Sequence, residues 1–208
     1  MGALLVKLAM LAALSVLPQR GDLVFADWAC GALCDAIEDV TLAQFEVDGP
    51  RLSHVGLLDV EDGRLVVWEA LGTVKATPWA DFLRRQGLVA VRPARVPVSP
   101  AVRSRAADAV RAWAGAPYDE RYAWGGKAFY CSELVARAYT EAGAPEPLFA
   151  PLPMTFVGQN GAVSPVWLLQ FEKLGVPIPS GEPGLSPLAL WLRLQLMAEQ
   201  GRHEHARP

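Results

Sequence analysis

The segment that most constrains the fold consists of two apolar runs, residues 54–60 and 65–70, joined by the link "EDGR". Asp62 and Gly63 in this link are typical of a two-residue hairpin turn, because both residue types tolerate positive φ. With these two at the centre of the turn, opposed residues have numbers that sum to 125, as 62 and 63 do. The sequence therefore predicts an antiparallel hairpin with a defined register.

This register brings a histidine close to a carboxylate. Gly56 lies opposite Glu69, and because side chains alternate along a strand, His54, Gly56 and Glu69 share one face. Glu69 is then the diagonal neighbour of His54, ~7–8 Å away between backbones, and within reach of longer side chains. The register leaves two interpretations open. Glu69 either holds the imidazole in one tautomer for catalysis or makes a structural hydrogen bond at a sheet edge.

The stretch "FYCSELV", residues 129–135, places Cys131 at or just before the start of a predicted helix that ends at Gly143. Free N–H groups and the positive end of the helix dipole favour a thiolate there, and the same groups can hold an oxyanion. Free cysteines are usually just buried, so Cys131 alone is a weak signal. Together with His54 and Glu69 it predicts a Cys–His–carboxylate nucleophile.

Hydrophobic periodicity and turn residues predict the other elements. These are a strand at 21–26, a helix at 28–46, a short amphipathic piece at 79–83, a strand at 89–96, a helix at 99–115 capped by Ser99, Pro- and Gly-rich pieces at 144–187, and a Leu-rich helix at 187–199.

Composition limits the class of protein. Of 208 residues, 52% are hydrophobic and 20% are charged, which excludes a disordered chain and predicts one domain with a substantial core. The net charge is −3 and no basic run is interleaved with aromatics, so a nucleic-acid partner is not indicated. We divide the chain into an apolar N-terminal segment, 1–15, a catalytic domain, 16–200, and a polar tail, 201–208.

The N-terminal segment has the features of a weak secretory signal. Lys7 precedes an apolar stretch, 8–14, and Ala13 and Ser15 are small residues suited to cleavage after Ser15. This predicts export to the periplasm or cell envelope. The alternative is an uncleaved hydrophobic helix that packs on the domain or associates with a membrane, in a cytoplasmic or membrane-associated protein.

Three cysteines cannot all pair within one chain. Cys30 and Cys34, in "WACGALC", could form a disulfide, half of a metal site, or two small core residues of a helix. Spacing of four on a helix is awkward for disulfide geometry, and further zinc ligands are not evident. We therefore favour packing for this pair, which leaves Cys131 as an unpaired thiol.

A second cluster of possible metal ligands, His203, Glu204 and His205, lies in the polar tail. Neighbouring residues after Gly201 splay apart and nothing fixes a ligand geometry, so a disordered end is the expectation. We predict neither a metal nor a cofactor.

Five segments, taken in order, resemble the YiiX-like family of permuted papain-like amidases. This family belongs to the NlpC/P60 superfamily and is related to the lecithin retinol acyltransferase group. The segments are "GDLVF", "SHVGLL", "VVWEALGTVKATPW", "GAPYDERYAW" and "YCSELVARAY". The resemblance covers roughly residues 20–145, and the order of histidine before cysteine marks the permuted branch.

The resemblance implies roles for individual residues. The family's nucleophile falls on Cys131, its histidine on His54, and its third polar residue on Glu69, the position that the hairpin register selects independently. The family's Pro-Tyr-Asp turn implies that Tyr118 lines the substrate cleft. The implied fold is α+β and papain-like in circularly permuted form, with a bent antiparallel sheet packed against the helix that carries the cysteine.

The leading hypothesis is a cysteine hydrolase that cleaves an amide in a cell-envelope peptide or a lipid amide. One rival uses the same cysteine for lipid acyl transfer or thioesterase chemistry, with apolar segments after residue 145 as a groove for a chain. Another is a membrane-associated binding protein without turnover. Residues 146–208 match no pattern that would decide between them, and no cell-wall-binding module is evident.

Overall fold

The computed structural model describes residues 18–205, without the side chains of residues 147 and 201–205. The predicted N-terminal segment and the side chains of the tail cluster at 203–205 lie outside this description. The strands are β1 Leu23–Trp28, β2 His54–Glu61, β3 Arg64–Leu71, β4 Thr73–Pro78, β5 Leu88–Ala94, β6 Leu152–Pro153 and β7 Pro183–Gly184. The helices are α1 Ala32–Phe45, α2 Trp79–Leu83, α3 Pro100–Ala112, α4 Cys131–Glu141, α5 Glu146–Phe149, α6 Pro165–Leu174 and α7 Pro187–His205.

The central sheet has five strands in the order β4-β3-β2-β1-β5, and every neighbouring pair is antiparallel. The predicted hairpin register is confirmed, since Leu57 pairs with Trp68, giving the expected sum of 125. Asp62 and Gly63 have φ of 49° and 73°, as a two-residue hairpin turn of this type requires. The β2–β3 hairpin is therefore the frame on which the rest of the sheet is built.

Both faces of the sheet are buried. One face, with Val55 and Leu57 of β2, packs against Leu134 and Val135 of α4 in the main core. The other face carries a smaller cluster that includes Leu58, Val67 and Phe82. The core thus combines helices with an antiparallel sheet, which confirms the α+β class. The helix that begins at Cys131 packs on this sheet.

The region 144–187 is more regular than the sequence analysis predicted. It contains α6, which packs against α1. Trp167 and Phe171 of α6 join Tyr122, Tyr130 and Phe156 in a second hydrophobic cluster. The signals for this helix were present: Pro165 occupies its first turn and Gly175 ends it in the left-handed region. The helix was not predicted because its amphipathic pattern is short and the surrounding segment is rich in Pro and Gly.

Two boundaries in the first half of the chain differ from prediction. Trp28 belongs to β1, where it pairs with Leu88, and is not part of the first helix. The backbone N–H of Trp28 donates to Ser53 Oγ at 3.0 Å, which anchors this end of the strand. Strand β4 was not predicted, because this edge strand is short, carries only Val74 and Ala76 as apolar residues before Pro78, and ends at that proline.

The first residues of α3 and α7 agree with the prediction more closely than the boundaries in the first half of the chain. Helix α3 begins at Pro100, and Ser99 Oγ accepts a hydrogen bond from the N–H of Val102 at 3.3 Å, as the cap predicted. Helix α7 begins at Pro187 as expected but continues to His205, past the predicted end at 199.

The favoured interpretation of Cys30 and Cys34 was wrong, because the two form a disulfide with a Cα–Cα distance of 5.5 Å. The prediction assumed that both cysteines lie within a helix. Helix α1 starts only at Ala32, and its N-cap, Gly31, has a φ of 99° that turns the chain away from helical geometry. Cys30 is thereby free to approach Cys34. Cys131 is the free cysteine, as expected.

Among the described residues, no helix combines the length and the apolar character needed to cross a membrane.

The space at Gly56 is essential to the hairpin. A Cβ added there would lie 2.4 Å from Val67 Cγ1 and 3.0 Å from the carbonyl oxygen of Trp68. We expect Gly56→Ala to lower the free energy of unfolding by about 1–3 kcal/mol, because strand β3 must shift to relieve the overlap. Gly126→Ala is the matched control, since its Cβ would meet nothing closer than 3.9 Å. Urea denaturation of both variants measures the difference, and equal stabilities would contradict this account.

Candidate active site

Cys131 is the first residue of α4 and is 6% exposed. The preceding residue, Tyr130, is extended and caps the helix with its backbone alone, as its carbonyl accepts from Leu134 N–H at 3.0 Å. The sulfur therefore lies beside the free N–H groups of the first turn. It hydrogen bonds to the His54 side chain and to the backbone of Val55 and Ser132. Cysteine and histidine thus meet, as the sequence predicted.

His54 is the first residue of β2, and its ring is buried. Its Nε2 donates to Glu69 Oε2 at 2.6 Å, which leaves Nδ1 as the ring nitrogen for the Cys131 sulfur. The rings of Trp28 and Phe82 flank the imidazole, with centroids 5.9 Å and 6.5 Å away. The diagonal contact predicted from the hairpin register is therefore present, and the imidazole is fixed on several sides.

Glu69 is completely buried and is held by more than His54. Thr77 Oγ1 donates to Glu69 Oε1 at 2.6 Å. The guanidinium of Arg85 spans both oxygens, with Nη1 3.0 Å from Oε2 and Nη2 bound to Oε1. The carboxylate is thus fully paired, which a buried charge requires.

Arg85 is itself placed by aromatic rings. Its guanidinium lies 4.7 Å from the ring centroid of Trp28 and 4.8 Å from that of Phe82. Sequence reasoning missed both Arg85 and Thr77. Thr77 pairs with Val67 across β3 and β4, so recognition of β4 would have placed it diagonal to Glu69. Nothing in the local pattern distinguishes Arg85 from Arg84.

The electrostatics of the site favour a charged pair. Burial lowers the pKa of His54, but hydrogen bonds and charge interactions with Cys131 and Glu69 outweigh it and raise this pKa to about 9. Burial raises the pKa of the Cys131 thiol, yet contact with His54 and the backbone groups around the sulfur leaves it lowered. Burial also opposes ionisation of Glu69, but His54, Arg85 and Thr77 lower the pKa of this carboxyl to about 2. These shifts favour a thiolate beside an imidazolium that is backed by a carboxylate.

Cys131 lies where two cavities meet. One, here called the narrow pocket, has a volume of about 70 Å³ and runs between α1, α6 and the start of α7. The other, the wide groove, has a volume of about 580 Å³ and also contains His54 in its wall. Five residues line both cavities: Ile37, Ser53, Tyr118, Tyr122 and Cys131. Tyr118, expected from the resemblance to line a cleft, lies at this junction.

The family of the chain follows from a comparison with known proteins. The model of the permuted papain-like amidase enzymes of the YaeF/YiiX type, the C92 family, matches residues 17–163. The chain belongs to this family of permuted papain-like amidases. This membership disfavours the hypothesis of a binding protein without turnover.

Two relatives show how far the likeness extends. The uncharacterized protein YiiX of Escherichia coli K12 is 29% identical over 127 residues, which cover 60% of this chain and 59% of that protein. The matched region thus spans less than two thirds of that relative. A crystal structure of YiiX from Escherichia coli O157:H7, described as a metalloprotein, has a TM-score of 0.66 and 26% identity. The match covers 84% of this chain and 92% of that one.

The residues described here do not fit a metal site. Within residues 18–205, apart from the side chains left out, no three His, Cys, Asp or Glu side chains are grouped to share an ion. At the active site, both oxygens of Glu69 already accept hydrogen bonds from Arg85 and from either His54 or Thr77. The metal of the neighbouring structure is therefore not carried over to this site.

The support that Arg85 gives to Glu69 is open to test. We expect Arg85→Gln to slow alkylation of Cys131 by iodoacetamide at pH 7 about tenfold, because a less firmly held Glu69 stabilises the imidazolium less well. Arg84→Gln is the matched control, since Arg84 is exposed and pairs with Asp81 at the surface. Rates are measured by intact-protein mass spectrometry. Equal rates in the two variants would show that Arg85 has no positioning role.

Proposed function

We propose that this chain hydrolyses an amide bond through a covalent acyl-enzyme on Cys131, with His54 as the proton carrier and Glu69 as the residue that orients it. The observation that carries the proposal is the buried line of hydrogen bonds from Cys131 through His54 to Glu69. Along this line the pKa of the Cys131 thiol is lowered and that of the His54 imidazole is raised to about 9. Both shifts favour the thiolate–imidazolium pair that a nucleophilic cysteine needs.

In the first half of the reaction, the thiolate of Cys131 attacks the carbonyl carbon of the amide. A carbon–sulfur bond forms, and the carbonyl electrons move to the oxygen. Free N–H groups of the first turn of α4 are suited to stabilise this oxyanion. The intermediate then expels the amine, which takes its proton from the His54 imidazolium, and a thioester remains on Cys131.

In the second half, neutral His54 takes a proton from water as the water oxygen attacks the thioester carbonyl. The carbon–sulfur bond breaks, the acid leaves, and the thiolate–imidazolium pair is restored. Throughout both halves, the bond from His54 Nε2 to Glu69 keeps Nδ1 directed at the sulfur. Transfer of the acyl group to another acceptor shares the first half and differs only in what enters the wide groove afterwards.

We further propose that the protein is exported and acts on a peptide or lipid amide of the cell envelope. Two features support export: the apolar segment at 1–15 and the Cys30–Cys34 disulfide. Disulfides form and persist mainly in oxidising compartments, whereas cytosolic thiols stay reduced.

The state of the nucleophile can be tested without a known substrate. From pH 8 to pH 6, alkylation of Cys131 by iodoacetamide should slow less than that of an ordinary thiol, because the pKa of the Cys131 thiol is lowered and that of His54 is raised to about 9. His54→Ala should slow alkylation at pH 6 on the order of 100-fold, since an ordinary thiol of pKa ~8.5 is almost wholly protonated there.

His203→Ala serves as the control, because it also removes one histidine but in the tail. Cys131→Ala should eliminate labelling, as the other two cysteines form the disulfide. A wild-type rate that falls steeply from pH 8 to pH 6, in parallel with His54→Ala, would refute an activated nucleophile.

The compartment can be tested by counting free thiols in protein from cells lysed directly into N-ethylmaleimide under denaturing conditions. Export predicts one adduct, on Cys131, because Cys30 and Cys34 are paired. It also predicts a mature chain that has lost its first fifteen residues if cleavage follows Ser15. Three adducts on a full-length chain would place the protein in a reducing compartment.

A further inference from the structure

The two cavities that meet at Cys131 differ in chemistry. The narrow pocket is lined mainly by apolar and aromatic side chains, among them Val40, Phe156 and Trp167, and no charged residue is among the described residues of its wall. The wide groove includes Glu120, Lys173 and the His54 ring. An amide substrate has two parts, one on each side of the scissile bond, and the cavities therefore offer them different surroundings.

The position of His54 decides which part of the substrate enters which cavity. The amine can leave only after it receives a proton, and the donor is the His54 imidazolium. His54 lies in the wall of the wide groove and not in that of the narrow pocket. The amine must therefore be on the groove side of Cys131. The acyl part, which stays bound to sulfur as the thioester, is then on the side of the narrow pocket.

The size of the narrow pocket limits the acyl part. A volume of about 70 Å³ is only several times the roughly 10–15 Å³ that a single water needs. We therefore expect the pocket to hold a short acyl chain and to exclude a long one. The absence of charge from the described wall also disfavours an acyl part that carries an ammonium or carboxylate, since either would be desolvated without a partner.

We infer that the narrow pocket is the acyl-binding site, and that the substrates are amides of a compact, uncharged, apolar acyl group with an amine part that occupies the wide groove. This inference rests on the proposed acyl-enzyme at Cys131 and specifies its substrate class. The step is the one already balanced above: the carbon–sulfur bond forms, the carbon–nitrogen bond breaks, and the His54 proton leaves with the amine.

The test uses p-nitrophenyl esters of acetate, butyrate, hexanoate and dodecanoate, each below its aggregation concentration, with the full chain. All four share one leaving group, so differences report on the acyl part alone. The measured quantity is the rate constant of Cys131 acylation, from p-nitrophenolate release and protein mass, corrected with Cys131→Ala. We expect the rate to rise roughly 10- to 100-fold from acetate to hexanoate as methylenes are buried. It should then fall at least tenfold at dodecanoate.

A variant that enlarges the pocket should shift this limit. Met154 is half-buried in the pocket wall, and Met154→Ala should raise the dodecanoate-to-hexanoate rate ratio at least fivefold. Leu152→Ala, in the same wall, is a second enlarging variant should the first fold poorly. Leu168→Ala is the control, because Leu168 is 51% exposed and lines neither cavity, and its ratio should equal that of wild type.

The outcomes separate this inference from the proposed function. Acylation that keeps rising to dodecanoate, or that is equal for all esters, would overturn the assignment of the narrow pocket while leaving the nucleophile intact. Rapid alkylation by iodoacetamide without acylation by any ester would overturn it too. Failure of both reactions, with alkylation no faster than in His54→Ala, would refute the proposed function and with it this inference.

Discussion

The active site depends on one buried negative charge, the carboxylate of Glu69. A carboxylate removed from water is costly unless charged or hydrogen-bonding partners replace the solvent. Here the partners come from three different parts of the chain: His54 from β2, Thr77 from β4 and Arg85 from the turn that follows α2. The charge is therefore tolerated only when the hairpin, the edge strand and the short helix are all in place. Together with Cys131, it raises the pKa of His54 to about 9 despite the burial of the ring.

Part of this site could be predicted because it depends on a local rule. The Asp62-Gly63 turn sets the register of β2 against β3, and the register alone brings His54 to Glu69. The position of Cys131 at a helix start follows from the apolar face of α4, which must pack on the sheet. The remaining supports could not be predicted in this way, because they arrive from elements whose patterns are weak. Arg85 reaches Glu69 through the tertiary placement of α2, which the sequence does not encode locally.

The wrong prediction for Cys30 and Cys34 resulted from an assumption about secondary structure. Treating residues 28–46 as one helix made a bond between Cys30 and Cys34 unfavourable, and packing became the preferred interpretation. The chain instead keeps Trp28 in β1 and turns at Gly31, where a positive φ is easily adopted by glycine. The helix thus begins two residues after Cys30. The paired cysteines also line the wide groove, so the bond holds the start of α1 beside the active site.

The proposed reaction places two conflicting demands on Cys131, and different parts of the fold meet them. A thiolate requires polar stabilisation, which His54 and the first turn of α4 supply from one side. An apolar acyl group requires surroundings that exclude water, and the cluster of Tyr122, Phe156 and Trp167 provides them on the other. Val40 of α1 and Trp167 of α6 belong to that cluster, and neither helix carries one of the charged groups of the site. Because α1 and α6 supply none of the groups that activate Cys131, their residues in the wall of the narrow pocket can change without altering those hydrogen bonds. The proposed acyl specificity is therefore separable from activation of the nucleophile.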